Sequence, residues 1–155
     1  MVREACLSDF AGISHLENQV FYMHLNARPD MIKPKEEPFS RAYFETCLAD
    51  ENMKIFVYEA AGEILGHCFV RQWAYENHPM YYDGKILEID DFCVDENARG
   101  KQIGRKLFHR AKAYAKEIGA VRIELTVWSF NENAREFYEH LGMAERTRRM
   151  QMCVE

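Results

Sequence analysis

Apolar and polar positions along this chain follow two periods, near two and near 3.6 residues, and the changes of period mark its elements. Val2–Cys6 reads as a short strand. Ser8-Asp9 then stands as an N-cap before Ile13, Leu16, Val20 and Phe21, an apolar stripe at helical spacing. Residues 26–38 hold three of the four prolines and form the clearest loop. Phe39, Tyr43, Phe44 and Leu48 predict a second helix over Phe39–Leu48. Lys54–Ala60 and Ile64–Trp73 read as strands joined by Ala61-Gly62-Glu63, a hairpin signal. Residues 74–84 form a polar and aromatic loop, and Ile86–Val94 is a fourth strand.

The second half has stronger periodicity. Ile103, Leu107, Phe108, Ala111, Tyr114, Ala115 and Ile118 make one apolar helix face, stopped by Gly119. Val121–Trp128 is a strand. Ala134, Phe137, Tyr138 and Leu141 form the inner stripe of a short helix ending at Gly142, and Met143–Val154 returns as a final strand. The order β-α-α-β-β-β-α-β-α-β predicts an α/β layered fold in one domain, 1–155.

Composition narrows the function. Hydrophobic residues are 48% of the 155, enough for a core, and 20 basic against 25 acidic residues give a net charge of −5. That balance argues against general nucleic-acid binding, which needs clustered cations, and suits a cationic substrate. No apolar run nears the roughly 20 residues of a membrane helix, and MVREACLSDF lacks the apolar core of a signal peptide. The five cysteines show no metal or disulfide spacing, so reduced, packed thiols in a cytoplasmic setting are expected, with no metal, no nucleic acid and no membrane partner.

One segment carries candidate chemistry. Arg99-Gly100-Lys101-Gln102-Ile103-Gly104 joins a strand to an amphipathic helix. Unpaired N–H groups at a helix start, together with Arg99, Lys101 and Arg105, can hold a pyrophosphate, and Gly100 and Gly104 allow close approach. Taken alone it is equally a glycine-containing turn. It lacks the Gly-Lys-Ser/Thr of a P-loop and the dinucleotide spacing, which disfavours nucleotide binding.

This loop resembles the Gln/Arg-x-x-Gly-x-Gly/Ala motif of the GNAT superfamily of N-acetyltransferases. Arg99, Gln102 and Gly104 occupy its defined positions, with Gln102 where Gly is usual; a positive φ there would strain it. Asn131-Glu132-Asn133-Ala134-Arg135-Glu136-Phe137-Tyr138 and Leu141-Gly142-Met143 resemble the family's Asn-x-x-Ala-x-x-Phe-Tyr helix and its ending. The resemblance implies a mixed, mostly antiparallel central sheet flanked by helices. It also implies transfer of the acetyl group of acetyl-CoA to an amine of a small molecule or peptide.

By the same resemblance the pyrophosphate lies on Arg99, Gly100, Lys101, Gln102, Ile103, Gly104 and Arg105. The pantetheine arm pairs with the backbone of Phe92, Cys93 and Val94, in a gap between the fourth strand and Val121–Trp128. Asn131 contacts the arm or caps its helix. The Val94 N–H is the oxyanion donor. Tyr138 is the general acid toward sulfur; its alternative is a core aromatic. Asp90 or Glu88 assists deprotonation of the amine. Simple alternation puts Glu88, Asp90 and Phe92 on one strand face and Asp91 on the other, unless a bulge intervenes.

Cys93 has no partnering His at a recognisable spacing and reads as packing, which favours direct transfer. His67 and His109 belong to no metal pattern, His78 reads as surface loop, and Arg146, Arg148 and Arg149 as a solvated face. Tyr75, Glu76, Tyr81, Tyr82 and Asp83 are the substrate-side candidates. A non-catalytic acyl-CoA-binding sensor of the same fold is the alternative function, and a homodimer is left open.

Overall fold

The computed structural model describes residues 1–154. Five strands, β1 (Val2–Glu4), β2 (Met53–Ala60), β3 (Glu63–Tyr75), β4 (Gly84–Val94) and β5 (Ala120–Leu125), form one sheet in sequence order. The β1–β2, β2–β3 and β3–β4 pairs are antiparallel and β4–β5 is parallel, so the sheet is mixed and mostly antiparallel as expected. Four helices flank it: α1 (Phe10–Ala27), α2 (Arg41–Ala49), α3 (Ile103–Glu117) and α4 (Glu132–His140).

Local chemistry sets the boundaries. Ser40 begins α2 by accepting the Tyr43 N–H at 3.2 Å. Ala61 and Gly62 turn the β2–β3 hairpin with φ of 52° and 80°, the left-handed pair that a tight hairpin needs. Gly119, at φ 69°, stops α3. One sheet face buries Phe56, Cys68, Val70, Leu87 and Ile89 under Leu107, Phe108 and Ala111 of α3, with Tyr138 of α4. The other buries Ile55, Val57 and Phe69 against Ile13 of α1 and Phe44 of α2.

Two expectations are corrected. Residues 143–154 form no strand and lie mostly exposed, with Met150, Met152 and Val154 more than four-fifths accessible. β5 ends at Leu125, so Thr126–Trp128 lie outside the sheet. The thiols also divide: Cys47, Cys68 and Cys93 are buried as expected, whereas Cys6 and Cys153 are exposed.

Candidate active site

The strand register opens a gap. β5 pairs with β4 from Lys85/Ala120 to Ile89/Leu125, whereas β3 accompanies β4 as far as Val94. From Asp90 to Val94, β4 therefore has no strand on its β5 side among the described residues. Its outward N–H and C=O groups are free to pair with an extended ligand there.

A bulge decides what faces this gap. Asp91 pairs with Phe69 and Ile89 with Val70, which leaves Asp90 as the extra residue. The alternation is thereby reset. Phe92 points with Leu87 and Ile89 into the core under α3 and α4, while Asp91 turns to the α1 side. Phe92 thus parts from Glu88 and Asp90, against the bulge-free alternation.

Beyond Val94 the chain makes a short 3₁₀ turn over Glu96–Ala98 and enters α3. Gln102 is the N-cap, with φ 60° and no side-chain cap bond, so the first N–H groups of α3 are uncapped. Arg99, Lys101 and Arg105 are exposed, and none has a carboxylate within ion-pair distance among the described residues. Gly100 adopts φ 79° with open space around it. Gly104 serves packing instead. A Cβ there would lie 3.0 Å from the Phe137 ring, so its bareness lets α4 close on α3.

Asn131 caps α4 through Oδ1, which accepts the Ala134 N–H at 3.1 Å. The cap uses only the amide oxygen and leaves the NH₂ donors for a ligand. Tyr138 is 9% exposed, among the rings of Phe92, Phe108 and Phe137 at 5.9, 6.3 and 5.1 Å. Burial pushes its phenol well above the ordinary range, with Cys68 and Asp91 adding to the effect, so the hydroxyl keeps its proton at neutral pH.

The acidic candidates are engaged. Asp90 accepts from Arg71 Nε at 3.2 Å, and Arg71 also holds Asp50 at 2.8 Å. Glu88 accepts from Trp73 Nε1 at 3.1 Å. Sequence reasoning passed over Glu17, His67 and Asp91, which meet on the α1 side of the gap. Glu17 and His67 are 50 residues apart in the chain, so no local motif joins them. The one signal was a histidine set between apolar residues in a strand buried on both faces.

On the same side, His24 lies 5.6 Å from Phe130 and 6.1 Å from Trp128, and burial lowers its pKa below the usual value. In the 74–84 loop, Tyr75 and Tyr81 stack at 4.7 Å and His78 lies against both. Tyr82 is 98% exposed, and Asp83 accepts the Asn77 N–H at 2.7 Å. An open recess of ≈ 440 Å³ is lined by Tyr75, Glu76 and Asp83. A second recess, ≈ 240 Å³, lies beside α2 and contains none of the gap residues.

Residues 18–143 match the sequence model of the Acetyltransferase (GNAT) family. The chain belongs to that family. Thialysine N-epsilon-acetyltransferase of Bos taurus is 28% identical over 153 residues, spanning 95% of this chain and 85% of the relative. A tetramutant of the BH1408 protein of Bacillus halodurans superposes with a TM-score of 0.96 at 29% identity, covering 99% of both chains. Aminoglycoside N-acetyltransferase AAC(6')-Iy, solved with CoA, shares the fold alone, with a TM-score of 0.75 at 12% identity over 100% of this chain and 99% of that one. GNAT enzymes use acetyl-CoA as acyl donor, and the unpartnered β4 edge, uncapped α3 start and three free cations fit that ligand's arm and pyrophosphate.

Proposed function

We propose that this protein transfers the acetyl group of acetyl-CoA directly to an amine of a small molecule or peptide. The observation that carries the reading is the open β4 edge running into the uncapped start of α3. Bound acetyl-CoA supplies an activated thioester. Arg99, Lys101, Arg105 and the N–H groups of Gln102, Ile103 and Gly104 hold the pyrophosphate, and Gly100 makes the turn before them. Backbone groups of Phe92, Cys93 and Val94 hold the pantetheine amides, joined by the Asn131 NH₂, and the Val94 N–H stabilises the developing oxyanion.

Tyr138 serves the leaving sulfur. A phenol made less acidic by burial acts chiefly by donating a hydrogen bond as negative charge develops there. Cys93 does not act as nucleophile. Burial pushes its thiol up to about 12, and Sγ points at the Leu16 carbonyl at 3.6 Å. Direct transfer follows. The absence of disulfides among five cysteines supports a reducing, cytoplasmic setting.

The thialysine in the name of the Bos taurus relative makes a primary amine on a flexible side chain the first acceptor to try. The aromatic and acidic residues of the 74–84 loop suit such a cation. The experiment is an amine panel (thialysine, lysine, an aminoglycoside, an amino sugar and a peptide) with acetyl-CoA, reading amine-dependent thiol release. Turnover on one class names the acceptor. Tight CoA binding with no turnover on any amine would replace this reading with the sensor alternative.

A further inference from the structure

Glu17 Oε1 and Asp91 Oδ1 each lie 3.3 Å from His67 Nε2, and the three donor atoms fall within 4.8 Å of one another. The side chain of His67 is 0% exposed, that of Glu17 13% and that of Asp91 28%, so the cluster is closed behind the imidazole and open at Asp91. Its open end is at the gap. Asp91 directly precedes Phe92–Val94, where β4 has no strand on its β5 side among the described residues, and its charge is felt by Tyr138 on the opposite face.

The protons in the cluster follow from its contacts. His67 Nδ1 is buried without a partner, while Nε2 faces two carboxylates. The imidazole therefore donates from Nε2, and Nδ1 has no acceptor within reach among the described residues. A metal-ligating imidazole would instead have its far nitrogen held by a hydrogen bond. Two adjacent carboxylates do not ionise together freely. Burial, then the charge of Asp91 and a hydrogen bond to it, raises Glu17 to about 9. Burial alone would raise Asp91 too, but hydrogen bonds from His67, Glu17 and the Phe92 N–H hold it below the usual range. One proton is shared, and it resides on Glu17.

We propose that this cluster is the acceptor subsite for a protonated primary alkylamine, with Asp91 receiving the ammonium, Glu17 taking its proton and His67 positioning both carboxylates. The assignment rests on the acetyltransferase reading and replaces Asp90 and Glu88 as the base. One ammonium N–H bond breaks, its electron pair stays on nitrogen, and an O–H bond forms on ionised Glu17. The nitrogen bonds to the acetyl carbon, the C–S bond breaks, and a second N–H proton passes to the departing thiolate, which the Tyr138 hydroxyl holds by a hydrogen bond. Glu17 then returns its proton to water.

Proton affinity supports the choice. An alkylammonium titrates near ~10.4 and an ordinary Glu near ~4.3, about six units too weak a base, whereas Glu17 is within about two units. Asp91 and Cys93 from β4 and His67 from β3 face Glu17. His24 on α1, Arg99 beyond Cys93 and Tyr138 across the gap complete the charged and titratable surroundings.

Glu17→Gln is the test, because Gln keeps a donor to Asp91 and loses the titration. Carboxyl ¹³C NMR of the free wild-type protein is expected to show one Glu titrating near about 9, a signal that the variant loses. A folded-state pKa above the unfolded value means that the folded protein binds more protons between about 4.3 and about 9. Wild-type stability thus falls as pH rises through that window, and the variant's melting temperature is higher at pH 8 and flatter with pH. With the panel amine that wild type acetylates, kcat/KM rises toward pH 9. In Glu17→Gln it is about 10²-fold lower and loses the rise, while CoA affinity holds. Asp90→Asn keeps the wild-type profile. A Glu17→Gln enzyme with wild-type rate and profile overturns the assignment alone, as does activity lost to a chelator and restored by Zn²⁺. A wild type inactive on every amine overturns the acetyltransferase reading and this assignment with it.

Discussion

Gln102 adopts a left-handed conformation, φ 60° and ψ 16°, at the N-cap of α3, where the family pattern has glycine. A side chain in that region costs roughly 1–2 kcal/mol, partly offset because glycine has more unfolded-state entropy to lose. Gln102→Gly is therefore expected to stabilise the protein by up to about 1 kcal/mol, seen as a rise in melting temperature, without weakening CoA binding. Gly104 is the opposite case. Its missing Cβ makes room for Phe137, so Gly104→Val destabilises the fold and gives no clean reading of the cofactor site. Tyr138→Phe removes one oxygen and keeps the ring. CoA affinity should stay within a few fold while the single-turnover rate falls by about 10²–10⁴-fold, a transition-state interaction lost. A wild-type single-turnover rate would make Tyr138 a core aromatic only.

At the scale of elements, the start of α3 suits an anion because Gln102 makes no side-chain cap bond and Arg99, Lys101 and Arg105 have no carboxylate partner among the described residues. Replacing Arg99 and Arg105 together by Ala should weaken CoA binding about tenfold, flatten its salt dependence and leave the melting temperature nearly unchanged. Unchanged affinity by calorimetry would move the pyrophosphate elsewhere. This element was legible in the sequence because the glycines, the cations and the helical stripe from Ile103 are all local. The β4 bulge was not. One inserted residue, Asp90, sends Asp91 to α1 and Phe92 to α3, and alternation within β4 says nothing about the pairing with β3 that forces it. Glu17 and His67 were missed for the same reason: only tertiary packing brings α1 and β3 to Asp91. Met143–Val154 failed differently. Met150, Met152 and Val154 alternate with polar residues, yet no strand among the described residues receives them; Arg146, 2.7 Å from Glu124, ties the segment's start to β5.

For the whole molecule, the sheet divides the chemistry. Tyr138 and the start of α3 lie on the face covered by α3 and α4, the acidic cluster lies on the α1 face, and the gap beside Asp90–Val94 connects them. On the proposed assignment, donor and acceptor meet from opposite sides without passing through the protein. On this reading the acetyl group crosses the gap from CoA straight to an amine, with no stop on the protein. Quenched mass spectrometry tests that crossing most directly, with protein in excess over acetyl-CoA and the reaction stopped at intervals with and without the amine acceptor. Acetylated amine and free CoA are expected to form together, with the protein mass unchanged at every time. An acetyl adduct on the protein that forms before product, or acetyl-CoA left intact with every amine, would contradict direct transfer.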